Sequence, residues 1–327
     1  MSVRLMVRRA GPHVSVQDAG RPGFLRYGVP RSGPMDRAAF AAANLALANP
    51  QGWPGIEVSL GGLALDCLAG EIGYAVAGGG FIVRRYNRDG SIADPAEQDQ
   101  PSWHRGVLKA GQSLDIRPGA WGSWCYLAFA GRLDVPLWLG SAATHSQSGL
   151  GGGRLVAGRS LDLTQARVLP PAEIPIPVWA RPRGIAHCVA GPQLDHFGPD
   201  ALEQLAAGPF YMTASYDRMG SRLKGPAILP KDALAIPSGP ITRGDVQIAG
   251  DGVASLLMAD HQTTGGYPRP VTVLDADLDA LAQLRPNDPL RFRPISALAA
   301  TGVARTSRLA KARYFAGLIR RFGHSDR

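Results

Sequence analysis

The sequence is short of cysteine and of long hydrophobic runs, and it carries none of the familiar catalytic signatures. Only three cysteines occur in 327 residues, Cys67, Cys125 and Cys188. They are odd in number, widely spaced and form no C-x-x-C pair. That excludes a disulfide framework and the usual zinc spacing, and predicts reduced core thiols. The start, MSVRLMVRRAGPH, lacks the apolar stretch of a secretory signal. The uncharged segment from Ala38 to Ile56 is interrupted by Asn44, Asn49, Pro50 and Pro54, so it is no membrane span. A cytoplasmic protein without membrane contact is expected. There is no G-x-S-x-G elbow, no G-x-x-x-x-G-K-[ST] phosphate loop, no H-E-x-x-H and no G-x-G-x-x-G. No metal site is expected.

Acidic residues are outnumbered, and the formal net charge is +9. Most of the excess is local. From Arg305 to Arg327 there are seven basic residues against one acid, Asp326, which accounts for six of the nine charges. The remaining body is nearly balanced, which argues against a nucleic-acid-binding surface.

Glycine and proline are abundant, 41 and 27 residues. Both interrupt helices, and the excess has no collagen period. Hydrophobic residues make up 45%, too many for a disordered chain. The composition predicts a mainly β, loop-rich globular protein, and the length suggests two domains.

Short apolar runs with turn signals between them support this. Val3, Leu5 and Val7 open a strand, and Gly11-Pro12 turns it into a second. Residues 20–34 read as loop. Asp36 to Leu47 reads as an Ala-rich helix capped by Ser32 or Asp36. Strands follow at Gly55–Leu60, Leu63–Cys67, Ile72–Ala77, Phe81–Tyr86, Ser113–Ile116 and Trp124–Ala130. A first domain is expected over residues 1–169 and a stiff Pro-rich linker over 170–183. A second β-rich domain over 184–296 holds one short helix, Asp200–Ala207. A basic amphipathic helix or tail over 297–327 places Leu309, Phe315, Leu318, Ile319 and Phe322 at helical spacing. This tail is expected to dock through its apolar residues, with its charge left in water.

Four glycine-rich clusters concentrate polar chemistry. In VQDAGRPG, Asp18 and Arg21 can pair across a tight turn. In GVPRSGPMD, Ser32 offers a hydroxyl and Asp36 a carboxylate at a helix start, either as N-caps or as site groups. In SYDRMG, Asp217 and Arg218 can bind a polar substrate or make a turn salt bridge. In ADHQTTGGYP, a strand end opens into Asp260, His261, Gln262, Thr263 and Thr264. So many different hydrogen-bonding groups in one loop point to binding. His261 suits a general base near neutral pH. Neighbours on a strand point to opposite faces, so Asp260 and His261 need not share one pocket. His145 and His196 are lone loop histidines. The runs Gly78–Gly80 and Gly151–Gly153 are turns or close packing, or line a backbone-binding pocket.

In this order the four clusters, with ANLALAN behind the second, resemble the KipA family, also called the allophanate hydrolase subunit 2 family. The resemblance runs from Val3 to Phe292. It implies two cyclophilin-like β-barrel domains with few short helices and a C-terminal helix. It further implies a subunit of an ATP-dependent 5-oxoprolinase, opening 5-oxoproline to glutamate with a KipI-like and a LamB/YcsF-like partner. ATP is then a cosubstrate of the complex, and the substrate is a small amide or lactam. Asp217, Asp260 and His261 are the implied catalytic groups. Asp18, Arg21, Ser32, Asp36, Arg218, Gln262, Thr263 and Thr264 are the implied substrate-binding groups. Two other family roles remain open. One is a biotin-dependent carboxyltransferase acting on urea-like amides. The other is a non-catalytic antagonist that binds a KipI-like kinase inhibitor. The sequence departs from the pattern at Tyr216, at Gln147 where Arg is common, and at Arg132 in Ala130-Gly-Arg132.

Overall fold

The computed structural model describes residues 2–94, 98–231 and 236–323. It is mainly β, with four α-helices among the described residues. The chain forms two compact units. One comprises the chain up to Arg21, Ser32–Arg181 and the segment from Ala312 onward. The other comprises Pro22–Arg31 and Pro182–Lys311.

In the first unit two antiparallel sheets share one core. The seven-stranded sheet runs Arg132–Asp134, Ser160–Thr164, Val3–Ala10, Leu63–Ala69, Ser113–Arg117, Ile82–Tyr86, Gln100–Pro101. The six-stranded sheet runs Ala172–Glu173, His104–Lys109, Glu71–Ala77, Cys125–Phe129, Gly55–Val58, Ser15–Gln17. Alternate residues of both, among them Leu5, Val7, Leu65 and Ile116 with Ile56, Val76 and Leu127, form a single buried cluster. The period of two along each strand makes this possible.

Helix α1 (Arg37–Leu45) lies against Cys125–Phe129 and Glu71–Ala77. Its Ala-rich face allows close approach, and every residue from Ala38 to Leu45 is buried. Of the two candidate caps, Asp36 is the one used: its Oδ1 accepts from Ala39 N at 2.9 Å. The asparagines of ANLALAN tie the following loop down. Asn44 Nδ2 donates to Trp53 O at 3.1 Å, and Asn49 Nδ2 donates to Phe129 O at 2.8 Å.

The Pro-rich segment expected as a stiff linker packs, up to Arg181, within the first unit. Ala172–Glu173 pairs with His104–Arg105 as an edge strand, where a missing N–H costs least. Leu169, Ile174 and Ala180 are buried, and Arg105 Nε donates to Pro170 O at 2.8 Å.

The second unit is a closed barrel. Its order is Ile185–Ala190, Val271–Val273, Asp245–Ile248, Ala254–Leu257, Gly220–Lys224, Phe210–Tyr216, Pro289–Pro294. The last strand closes in parallel on the first. A two-stranded ribbon, Gly239–Pro240 with Thr264–Gly265, stands apart from it. Besides α2 (Ala201–Ala207), this unit holds α3 (Asp275–Ala282), which the sequence reading missed. It is only eight residues long, too short to show a clear helical period. Burial of Leu278, Ala280 and Leu281 holds it in place.

The basic segment is α4 (Ala297–Phe322), and the last residues of the expected tail, 324–327, lie outside the described residues. It is less of an appendage than its charge suggests. Within the first unit Leu318 and Phe322 are each 2% exposed, and the Arg105 guanidinium sits 4.7 Å from the Phe322 ring centroid. Leu309, which was expected to dock as well, is by contrast 59% exposed.

Candidate functional site

In the first unit, strand Ser15–Gln17 delivers Asp18 to a sharp turn. Asp18 Oδ1 accepts from Gly20 N at 2.8 Å and Ser141 Oγ at 2.6 Å, and Oδ2 accepts from Ala142 N at 2.6 Å. Arg21 is buried and reaches the same segment. It donates to the carbonyls of Trp138 and Ala143, and its guanidinium lies 4.6 Å from the Trp138 ring centroid. Together they clamp residues 138–143 to the turn.

Ser32 is buried in the left-handed region at φ 54°, a strained conformation for a non-glycine residue. Its Oγ has no hydrogen-bond partner among the described residues. Nearby in sequence, Met35 N donates to Glu57 Oε2 at 2.7 Å and Asp36 N donates to Tyr126 OH at 2.7 Å. Tyr126 OH in turn donates to Glu57 Oε2 at 3.1 Å. Burial, then the neighbouring Glu57 carboxylate, push the Tyr126 hydroxyl well above its ordinary range, so it stays a donor. Glu57 and Tyr126 escaped the sequence reading. The available signal was a carboxylate inside the apolar strand GIEV.

In the second unit, the strand ends around 218 and 258–262 meet. Arg218 and Asp260 form a two-pronged pair, Nε to Oδ2 at 2.9 Å and Nη2 to Oδ1 at 3.1 Å. Their side chains are 1% and 0% exposed. Asp217 closes its own turn by accepting from Met219 N at 2.7 Å and Gly220 N at 3.2 Å.

His261 is buried, and its Nδ1 lies 2.7 Å from the Gln262 carbonyl. A carbonyl only accepts, so Nδ1 carries the proton and Nε2 the lone pair. Burial, the largest cause, lowers the pKa of His261 from its ordinary 6.5, which keeps the ring neutral. Gln262 Nε2 donates to Gln247 Oε1 at 2.9 Å. Gln247 is buried, and its own Nε2 has no partner among the described residues. Beside it, Asp245 pairs with Arg269 at 3.0 Å and accepts from Thr242 N and Thr272 Oγ1. Thr263 O accepts from Ile241 N at 3.0 Å, and Thr264 pairs with Pro240 in the ribbon. Gln247, Asp245 and Arg269 were not singled out from the sequence. A Gln within the buried strand DVQI was the only hint.

The charges of this cluster are internally matched. Arg218 faces Asp260, Arg269 faces Asp245, and the nearby Arg243 reaches Asp275 at 3.6 Å and Asp279 at 3.9 Å. A neutral imidazole and a neutral amide are left. Buried ionic groups need partners and here they have them, so what the cluster leaves open is neutral hydrogen bonding.

His145 is held by Ser148 and stacks on Trp138, and His196 lies in a single helical turn. The glycine runs are close-packing sites: a Cβ on Gly80 would stand 2.3 Å from Trp121 Nε1, and one on Gly151 2.3 Å from Ala143 O. Cys67, Cys125 and Cys188 are free and buried, and burial pushes the Cys188 thiol up to about 12. Among the described residues no group of three or more His, Cys, Asp or Glu could hold a metal ion. None of the helices described is long and apolar enough to cross a membrane.

Comparison with known proteins agrees with this architecture. The chain is 32% identical over 290 residues to the C subunit of 5-oxoprolinase from Haemophilus influenzae, covering 86% of this chain and 88% of that protein. The crystal structure of Kluyveromyces lactis urea carboxylase superposes with a TM-score of 0.81 at 25% identity over 95% of this chain. This chain spans only 29% of that one. A second solved protein, TTHA0988, matches with a TM-score of 0.78 at 31% identity over 89% of this chain and 56% of its own. The family described as carboxyltransferase domain, subdomain A and B, matches residues 27–294, which contain three of the four clusters, and this chain belongs to that family.

Proposed function

We propose that this chain is the C-type subunit of a hetero-oligomeric, ATP-dependent 5-oxoprolinase. It would open 5-oxoproline to glutamate together with a KipI-like subunit and a LamB/YcsF-like subunit. One observation carries the reading: the alignment to the C subunit of 5-oxoprolinase is nearly co-extensive with that protein, at 88% of its length. Against the urea amidolyase of Saccharomyces cerevisiae the same chain spans 16%.

In this reading His261 is the general base. Its Nδ1 proton is held by the Gln262 carbonyl, so Nε2 accepts the proton removed from the attacking water or the bound amide. Asp260 orients the strand end through Arg218 rather than taking a proton itself. Gln262, Gln247, Thr263 and Thr264 offer neutral hydrogen bonds to the lactam group. Asp18, Arg21, Ser32 and Asp36 shape the loop of the first unit.

ATP supplies the driving force of such a ring opening. The clustered residues of the second unit do not fit a triphosphate, because Arg218, Arg269 and Arg243 each already face carboxylates. No step at this site is therefore routed through ATP.

The test is co-expression with KipI-like and LamB/YcsF-like subunits and an assay of ATP-dependent glutamate release. His261→Gln should assemble normally and lose about a hundredfold or more in kcat. Absence of glutamate release with every companion, together with no binding of 5-oxoproline, would refute the reading.

A second reading, a biotin-dependent carboxyltransferase acting on urea-like amides, is favoured by the match to urea carboxylase over 95% of this chain. The Gln247 Nε2, which has no partner among the described residues, fits a neutral ureido carbonyl. Carboxyl transfer from carboxybiotin to an amide, without glutamate release from 5-oxoproline, would select it.

A further inference from the structure

Outside every motif residue, a cavity of about 1050 Å³ opens in the first unit. Its size is at the upper end of small-ligand sites, roughly 300–1000 Å³. Arg8, Arg88 and Lys109 line it, and Asp66 is the one acid among the described residues of its wall. These cations come from three separate places: strand Val3–Ala10, the turn after Ile82–Tyr86, and the end of strand His104–Lys109 in the other sheet.

None of the three is firmly neutralised. Arg88 has no hydrogen-bond or ion-pair partner among the described residues. Arg8 Nε stands 3.8 Å from Asp66 Oδ1, and that oxygen already accepts from Ser113 Oγ at 2.7 Å. Lys109 meets Glu71 at 3.3 Å in a pair whose side chains are 61% and 39% exposed. Exposed pairs of this kind contribute little, so the lysine is available to a better anion.

The rim is open where a ligand would enter. Gly90 and Gly111 sit at φ 82° and 84° in two tight turns, and a Cβ on either would meet nothing within 4 Å. Gln112 Nε2 and Asn87 bridge the two turns at 3.3 Å, which sets the spacing of the walls. Three cations distributed around one cavity exceed what a single carboxylate can engage. They match an anion with charge spread over several oxygens, and two of them are arginines, whose forked donors fit phosphate geometry.

We propose that this cavity binds a small ligand carrying several phosphate charges, held by Arg8, Arg88 and Lys109. The ligand is either a nucleotide or a free polyphosphate. This goes beyond the reaction proposed above and does not depend on it.

The test is isothermal titration calorimetry of the full chain with inorganic tripolyphosphate, with ATP and with adenosine, at low and at high salt. Tripolyphosphate and ATP should bind, and adenosine should not. ATP binding tighter than tripolyphosphate assigns a nucleotide, and equal affinity assigns a polyphosphate. Arg8→Gln with Arg88→Gln should weaken binding at least about tenfold and flatten its salt dependence. Arg88→Gln alone, which breaks no hydrogen bond or ion pair among the described residues, should weaken it measurably with an unchanged circular dichroism spectrum. Arg305→Gln with Arg308→Gln, in the exposed basic helix, should leave the affinity unchanged. Absence of binding, wild-type affinity in the cavity variants, or an equal loss in the helix variants would each overturn the proposal.

Discussion

Replacing Asp260 with Asn would leave Arg218 charged inside the barrel with half its partner gone. The Arg218 side chain is 1% exposed and that of Asp260 0%, so water cannot screen the loss. Removing one member of such a pair costs about 3–5 kcal/mol, whereas exchanging both for apolar groups is near neutral. The second unit contains about 140 residues. At roughly 3 °C per kcal/mol for a domain of that size, Asp260→Asn should lower its transition by roughly 10 °C. Calorimetry would read the shift. Hydrogen exchange should show the loss of protection at Gly220–Lys224 and Ala254–Leu257, the strands leading to the pair. All six tryptophans lie in the first unit, so their fluorescence does not report this event directly. Arg218→Met combined with Asp260→Leu should recover most of the stability. A single variant within about 0.5 kcal/mol of wild type would refute the reasoning. So would a double variant as damaged as the single one.

Asp36→Ala should cost about 1 kcal/mol by removing the cap of α1, and Asp36→Asn less, as read by urea denaturation. Phe322→Ala should cost about 3 kcal/mol, because the ring is buried against Arg105; an unchanged midpoint would mean the end of α4 is not docked. The folded pKa of His261 lies below its ordinary 6.5. The stability it contributes is therefore complete above about 6.5 and falls as the pH drops below that value, since the unfolded ring then takes up a proton first. His261→Gln should remove that part of the acid sensitivity, seen in urea midpoints across pH. Cys125 and Cys188 are buried with raised pKa values, so a thiol reagent should modify them only after denaturation.

Several features were legible in the chain because they depend on local chemistry. Glycine and proline content excluded a helical protein, and alternating runs such as Val3-Leu5-Val7 located strands within a residue or two. Asp36 before an Ala-rich stretch identified a capped helix. The four polar clusters could be picked out by composition alone, and the fold places them at the two candidate sites, the Asp18–Arg21 turn with Ser32 and Asp36, and the Arg218–Asp260 pair with His261. The concentration of charge after Arg305 was also a matter of counting.

Tertiary structure decided the partners. Arg218 meets Asp260 across 42 positions, and Met35 meets Glu57 across 22; no local spacing encodes either contact. Strand pairing brought Gln247 and Gln262 together, and closure of the barrel buried Arg269 beside Asp245. It also turned the Pro-rich segment into an edge strand and half of the charged tail into a docked helix end. The cavity of Arg8, Arg88 and Lys109 belongs to the same class, built from three places separated in the sequence. The physical reason is common to all of these. Propensity and patterning act within a few residues, whereas burial is a property of what the rest of the chain places on top of a side chain, and burial sets which charges must pair and which donors await a ligand.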